Sequence, residues 1–265
     1  PISLCERYTE TDNTCIKIDI DFKWELTPEL AMEGEENGSF RRYQPEMLRE
    51  LSSIWFKVLN KFIQWKPDTR QETQAFVFEK DSPVDTGKYI LHENWELVEE
   101  NPDTKEKKFR NIETDEETME LDDISNPIYK DGIHIMFPWI TTSCVLERRI
   151  RKEVLKLINH LFEPLQLRES VAKIVDESVI GNHNWLLFMN RKSLTQFPYK
   201  LTHIYEFDTL SNIQEIPTNT YKSRDLLEIL SVRNRSSRVD LRPEIRDEIE
   251  TAEHSFWITI ESRRM

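Results

Sequence analysis

The sequence predicts a domain of interleaved strands and helices, and three stretches predict it most directly. Cys15 to Phe22, C-I-K-I-D-I-D-F, alternates apolar residues with Lys17, Asp19 and Asp21, the period of a half-buried strand. Pro45 to about Trp65 carries Leu48, Leu51, Ile54, Trp55, Val58, Leu59 and Phe62 on one helical stripe behind an opening proline. Ile133 to Phe137 is a second apolar strand, expected to end at Pro138.

The remaining elements are read in chain order. Ala75 to Phe78 is a short strand. Asp81 to Asn126 is polar, acidic and poorly periodic, and reads as an insertion or mobile arm with a hairpin around Tyr89 to Val98. Val145 to Phe162 is a basic amphipathic helix. Trp185 to Met189 and Leu201 to Phe207 are strands with a turn around Pro198 between them, and Ser223 to Leu230 and Pro243 to Thr251 are helical. Five glycines and no Gly-rich loop exclude a P-loop or a dinucleotide fingerprint, so any nucleotide must be held by side chains and metal.

With 38% hydrophobic and 32% charged residues, the 265-residue chain has an ordinary globular composition and ample length for a core. No apolar run approaches the ~20 residues that span a bilayer, so no membrane partner is expected. The chain opens without an initiator Met or a signal peptide, and both ends read as cut from a longer polypeptide. Cys5, Cys15 and Cys144 are too few and scattered for a disulfide framework, which points to reduced thiols inside a cell.

A net charge of −13 argues at first sight against a nucleic-acid binder. Between Glu96 and Asp123, however, twelve acids face four bases, a net of −8, and the remainder carries only −5. Its bases cluster at Arg148, Arg149, Arg151, Lys152 and Lys156, and again at Arg233, Arg235 and Arg238. Clustering matters more than net charge for steering a polyanion, although basic helix faces also occur on proteins that bind no nucleic acid.

Three features could carry chemistry. Asp19 and Asp21, two apart on a strand, share one face. Close carboxylates repel unless a cation sits between them, and such oxygen-rich sites suit Mg²⁺ or Mn²⁺; the plainer reading is a solvated strand face. His134 lies in the apolar strand two residues after Gly132, within K-D-G-I-H-I-M-F-P (Lys130 to Pro138); a lone strand histidine is more often structural. The third is I-V-D-E-S-V-I (Ile174 to Ile180), followed by N-W-L-L-F-M-N-R-K (Asn184 to Lys192), weak by itself.

In this order the three resemble the archaeo-eukaryotic primase superfamily, and within it the primase domain of large DNA viruses, which commonly precedes a superfamily 3 helicase in one polypeptide. The family pattern is a D-x-D strand, a strand with a small residue, one intervening residue and His, an apolar-Asp strand, then a Lys. Ile18 to Phe22, Lys130 to Pro138, Val175 to Val179 and Lys192 match it. Leu4 to Arg7, Phe76 to Lys80 and Tyr199 to Tyr205 add to the likeness, which runs from about residue 3 to residue 235.

The resemblance implies an α+β fold: an RNA-recognition-like mixed sheet carries the metal site, an α/β module supplies Lys130 and His134, and the site lies between them. Residues 1–265 would form the primase-polymerase catalytic core, with 81–129 an acidic insertion within it. The implied activity is that of a DNA primase, a template-directed nucleotidyltransferase that synthesises primers for DNA replication. Asp19, Asp21 and Asp176 would be catalytic and hold two divalent ions, Mg²⁺ or Mn²⁺. His134 would contact the incoming triphosphate, Lys192 would neutralise part of its charge, and Lys130 would assist. Arg148, Arg149, Arg151 and Lys152 would track the DNA template. The implied partners are template, nucleoside triphosphates and a superfamily 3 helicase domain in the same polypeptide, at a viral replication site inside the host cell. Two other classes stay open: a metal-dependent nuclease, since paired carboxylates also serve hydrolysis, and a non-catalytic domain tethering a helicase to DNA.

Overall fold

A computed structural model of the chain describes residues 5–66, 73–181, 183–186, 188–191, 197–208, 211–232 and 238–262. Strands β1 (Cys5–Tyr8) and β2 (Thr14–Glu25) precede helices α1 (Pro28–Asn37) and α2 (Pro45–Phe62). Then come β3 (Gln74–Glu79), β4 (Val84–Leu91), β5 (Trp95–Glu100), β6 (Lys107–Asn111), β7 (Glu117–Thr118) and the long β8 (Ser125–Thr142). Helices α3 (Cys144–Leu155), α4 (Asn159–Phe162) and α5 (Val171–Ile174) lead to β9 (His183–Leu186), β10 (Lys200–Phe207) and β11 (Ile213–Ile216), and α6 (Ser223–Ile229) and α7 (Pro243–Ser262) follow.

The fold is α+β. Its main sheet has the order β11-β10-β3-β8-β2, with β4 also paired to β8. Every ladder between these strands is antiparallel, so the sheet carrying the site is not the mixed sheet expected. Lys130 and His134 also lie in the same sheet as Asp19 and Asp21, not on a separate module, because β8 pairs β2 from one end of β2 to the other, from Thr14 opposite Thr142 to Glu25 opposite Ile128.

Strand alternation divides the chemistry between the two faces. On β2, Ile16, Ile18, Ile20, Phe22 and Trp24 point into the main core, joined there by Ile133, Ile135 and Phe137 of β8. The apolar stripe of α2 covers this face, and Phe56 stacks on Phe207 with ring centroids 4.4 Å apart. Burying side chains of this size stabilises by about 1.5–3 kcal/mol each. The opposite face carries Asp19, Asp21 and His134, bordered by a second apolar cluster that includes Phe76, Phe78, Met136, Trp185 and Tyr8. The β1–β9 ribbon contributes Tyr8 and Trp185 to that border.

Four local expectations change. Pro138 does not end its strand: β8 continues to Thr142, and the register against β2 jumps from Phe137 to Thr141, so the proline falls in a bulge where no ladder donor is required. The basic helix stops at Leu155, and a separate turn, α4, follows. Asp176 is not on a strand; it follows α5 and a single bridge between Val175 and Ile20. The acidic segment is built into strands. β4 pairs with β8, while β5, β6 and β7 form their own three-stranded sheet, so the hairpin joins β5 to β6 rather than centring on Tyr89 to Val98. Phe109 is buried there, edge-on to Tyr89, and cross-strand pairs such as Arg110–Glu96 at 2.8 Å and Lys108–Glu117 at 2.6 Å offset the repulsion among acids.

Candidate active site

The antiparallel register sets Asp19 directly across from His134, and Asp21 across from Gly132. Directly opposed residues have Cβ atoms about 4.5–5.5 Å apart, so these four positions form one compact patch. Asp19 Oδ1 lies 3.5 Å from His134 Nε2, and Lys130 Nζ donates to Asp21 Oδ2 at 2.9 Å. At the far end of the row, Lys17 is fully buried and pairs with Glu147 of α3 at 3.3 Å.

His134 is packed as well as polar. Its ring stacks on Tyr199 with centroids 3.6 Å apart and lies 4.5 Å from Trp185, leaving the residue 8% exposed. The histidine fills space beside two aromatic rings while its Nε2 faces Asp19. Gly132 is small for a specific reason. A Cβ there would run into the Tyr199 hydroxyl and stand 3.3 Å from Asp21 Oδ1.

Asp176 arrives from another part of the chain and is fixed by main-chain bonds. Its N–H donates to the carbonyl of Asp19 at 2.9 Å, while its carboxylate accepts from Ser178 N at 2.8 Å and Ser178 Oγ at 2.7 Å. Arg151 holds the approach to it: Nη2 and Nε donate to the carbonyl of Val175 at 2.7 and 3.1 Å, Nη2 also reaches the carbonyl of Ala172, and Nη1 pairs with Glu177 at 2.8 Å.

Asp19, Asp21, Asp176 and His134 border a single cleft, together with Arg7 and Asn184. Among the described residues no three His, Cys, Asp or Glu side chains are gathered tightly enough to hold an ion by themselves. The donor set nevertheless suits a hard cation. Mg²⁺ is usually bound through one or two carboxylates, waters and substrate phosphates rather than a closed protein cage, and an open cleft edged by three carboxylates offers that. The patch also perturbs its neighbours. Burial, then Lys130, lowers the pKa of Lys80, and burial, then Asp19 and Asp21, raises Tyr199 well above the usual phenol value. Asp131, fully buried beside the patch, is raised by burial despite the pull of Arg41 3.0 Å away.

The basic helix splits into inward and outward residues. Arg151, expected on a DNA-facing surface, is 7% exposed and turned inward to the carbonyls of the Asp176 loop, the reverse of what a phosphate contact needs. Arg148 pairs with Glu10 at 2.7 Å and lies over Phe256, and Arg149 pairs with Glu248 at 3.4 Å. Lys152 and Lys156 are exposed. Lys192, Arg233 and Arg235 lie outside the described residues. Sequence reasoning gave no role to Arg7, Tyr199 or Trp185. Arg7 and Tyr199 do fall in the L-C-E-R and Y-K-L-T-H-I-Y stretches that carry the family likeness, and Trp185 gave no signal beyond an apolar strand.

Residues 96–205 match the family described as the C962R protein N-terminal AEP domain, AEP denoting archaeo-eukaryotic primase. The resemblance to an archaeo-eukaryotic primase domain holds. The primase-type match includes Lys130, His134 and Asp176 and begins within the acidic segment; Asp19 and Asp21 precede it. A stretch of 128 residues is 29% identical to the protein named "Putative helicase L207/L206" of Acanthamoeba polyphaga mimivirus, covering 45% of this chain and 13% of that protein. A match to a primase-type family model and a helicase-named relative are together consistent with the primase domain of a viral helicase-primase. No helix among the described residues is long and apolar enough to cross a membrane.

Proposed function

We propose that this chain is a template-directed nucleotidyltransferase that synthesises primers for DNA replication with two divalent ions, Mg²⁺ or Mn²⁺. The observation that carries the reading is the shared cleft of Asp19, Asp21, Asp176 and His134 on one sheet face, with Lys130 paired to Asp21 at its edge. Divalent ions bound there would lower the pKa of the attacking hydroxyl and offset the charge accumulating at the α-phosphate.

The chain's own residues would do the rest. Asp19, Asp21 and Asp176 supply hard oxygen donors from three positions, two fixed by the β2 pleat and one by the bond from Asp176 N–H to Asp19. His134, clamped between Trp185 and Tyr199, has little rotational freedom, so a contact from its ring to the triphosphate costs little ordering entropy. Lys130 offers a compact positive charge to the phosphates, and Lys192 would add to it. Arg149 and Lys152 on the exposed side of α3 would touch the template backbone by sequence-independent, salt-sensitive contacts. A superfamily 3 helicase domain in the same polypeptide and a viral replication site in the host cell complete the proposal.

Incubation of the chain with single-stranded DNA template, labelled nucleoside triphosphates and Mg²⁺ or Mn²⁺ tests it. Template-dependent products are expected. Degradation of the template would make the chain a nuclease, and binding without either reaction would make it a tether.

A further inference from the structure

Lys80 directly follows β3, two positions after Phe78, which lies opposite His134. Its ammonium faces the Tyr199 ring, 5.0 Å from the centroid, and no acid forms an ion pair with it among the described residues. A half-buried ammonium without a carboxylate partner is costly unless something anionic visits it. Its charged surroundings are mixed: Lys130 opposes its charge, and the carboxylates of Asp21, Asp131 and Asp19 favour it without pairing to it.

Lys80 and Lys130 line a second cleft that also includes Arg191, Asn190 and Tyr199. This cleft adjoins the carboxylate cleft and shares Asp21 and Leu186 with it. The two differ in charge: Asp19, Asp21 and Asp176 border the first with Arg7, whereas the second holds Lys80, Lys130 and Arg191 with Asp21 alone among acids. In an in-line displacement the attacking and leaving oxygens stand on opposite sides of the α-phosphorus, so a cationic cleft next to the carboxylate cleft is placed to receive the leaving group.

We propose that Lys80, with Lys130, seats the β- and γ-phosphates of the incoming nucleotide and holds the pyrophosphate that leaves. This assignment rests on the nucleotidyltransferase reading. In the step it serves, the hydroxyl oxygen bonds to the α-phosphorus, and the bond from that phosphorus to the bridging oxygen breaks. The electron pair departs on pyrophosphate, and the hydroxyl proton passes to water. Lys80 and Lys130 balance the charge on the departing group. The Tyr199 ring limits how the Lys80 ammonium can turn and shields one side of it from water.

Calorimetric titration with inorganic tripolyphosphate at fixed ionic strength, without divalent ions, tests the seat separately from the reaction. Lys80→Met should weaken tripolyphosphate binding about tenfold or more, the worth of one charge-assisted hydrogen bond. Lys80→Arg should keep most of the affinity, and the thermal midpoint of Lys80→Met should hold or rise, since a half-buried charge without an ion-pair partner among the described residues is removed. Unchanged tripolyphosphate affinity in Lys80→Met, or no binding by the wild type, overturns the seat. Wild-type primer synthesis beside unchanged Lys80→Met binding leaves the enzyme reading standing and the seat refuted. Lost binding in Lys80→Met, with no synthesis by the wild type, keeps the anion seat and refutes the nucleotidyltransferase.

Discussion

The main-chain N–H of Asp176 donates to the carbonyl oxygen of Asp19 at 2.9 Å, tying residues 157 positions apart in the sequence by backbone rather than by side chain. A carboxylate can therefore be altered at either position without cutting the tie. This separates the chemistry of the acids from their placement.

Replacing Asp19, Asp21 or Asp176 singly by Asn should lower primer synthesis on the order of a thousandfold, because each change weakens metal affinity and misplaces the attacking hydroxyl. DNA affinity at fixed salt should not move. Stability should change by less than about 1 kcal/mol even for Asp21→Asn, since the Lys130–Asp21 pair is more than a quarter exposed on each side. Wild-type synthesis by all three variants would remove the catalytic assignment.

His134 separates packing from contact. His134→Ala opens a hole between Trp185 and Tyr199 and should cost about 2–3 kcal/mol in denaturant unfolding. His134→Phe keeps an aromatic ring in the stack and should retain most of that stability while weakening nucleoside triphosphate binding. If His134→Phe binds nucleotide as the wild type does, the residue is structural only.

Gly132 and Tyr199 form a size lock. Gly132→Ala should destabilise by about 1–3 kcal/mol through overpacking against the Tyr199 hydroxyl. Tyr199→Phe should recover part of that loss in the double variant, read as a coupling energy from a double-mutant cycle. Strictly additive effects would mean the two do not press on each other.

Arg151 and Lys152 are adjacent in sequence and should behave oppositely. Arg151→Ala removes the donors to the Val175 and Ala172 carbonyls and should cost about 2–4 kcal/mol, with faster hydrogen exchange at the Asp176 amide. Its effect on DNA binding by the folded protein should be small. Lys152→Ala should leave stability unchanged, weaken DNA binding and reduce the salt slope by about one. An Arg151→Ala variant of wild-type stability with weakened DNA binding would restore the phosphate-contact reading.

Much of the fold was legible because burial writes itself into period. β2, β8 and α2 each have one apolar face, so their existence and the shared face of Asp19 and Asp21 followed from alternation alone. The acidic segment was not legible for the complementary reason. β5 and β7 are exposed and held by cross-strand charge pairs, which leave no hydrophobic period to read.

By itself the sequence determined the D-x-D strand, the His134 strand and the order of motifs that carries the primase likeness, since these are local patterns of residue type. Tertiary structure alone decided which charges meet. It brought Asp176 to Asp19 through a main-chain bond and set His134 between two rings contributed by β9 and the approach to β10. It turned Arg151 inward while leaving Lys152 in solvent, and stood Lys80 beside Lys130 under Tyr199. Contacts across such distances depend on register and loop closure, and a single sequence records neither as a local pattern.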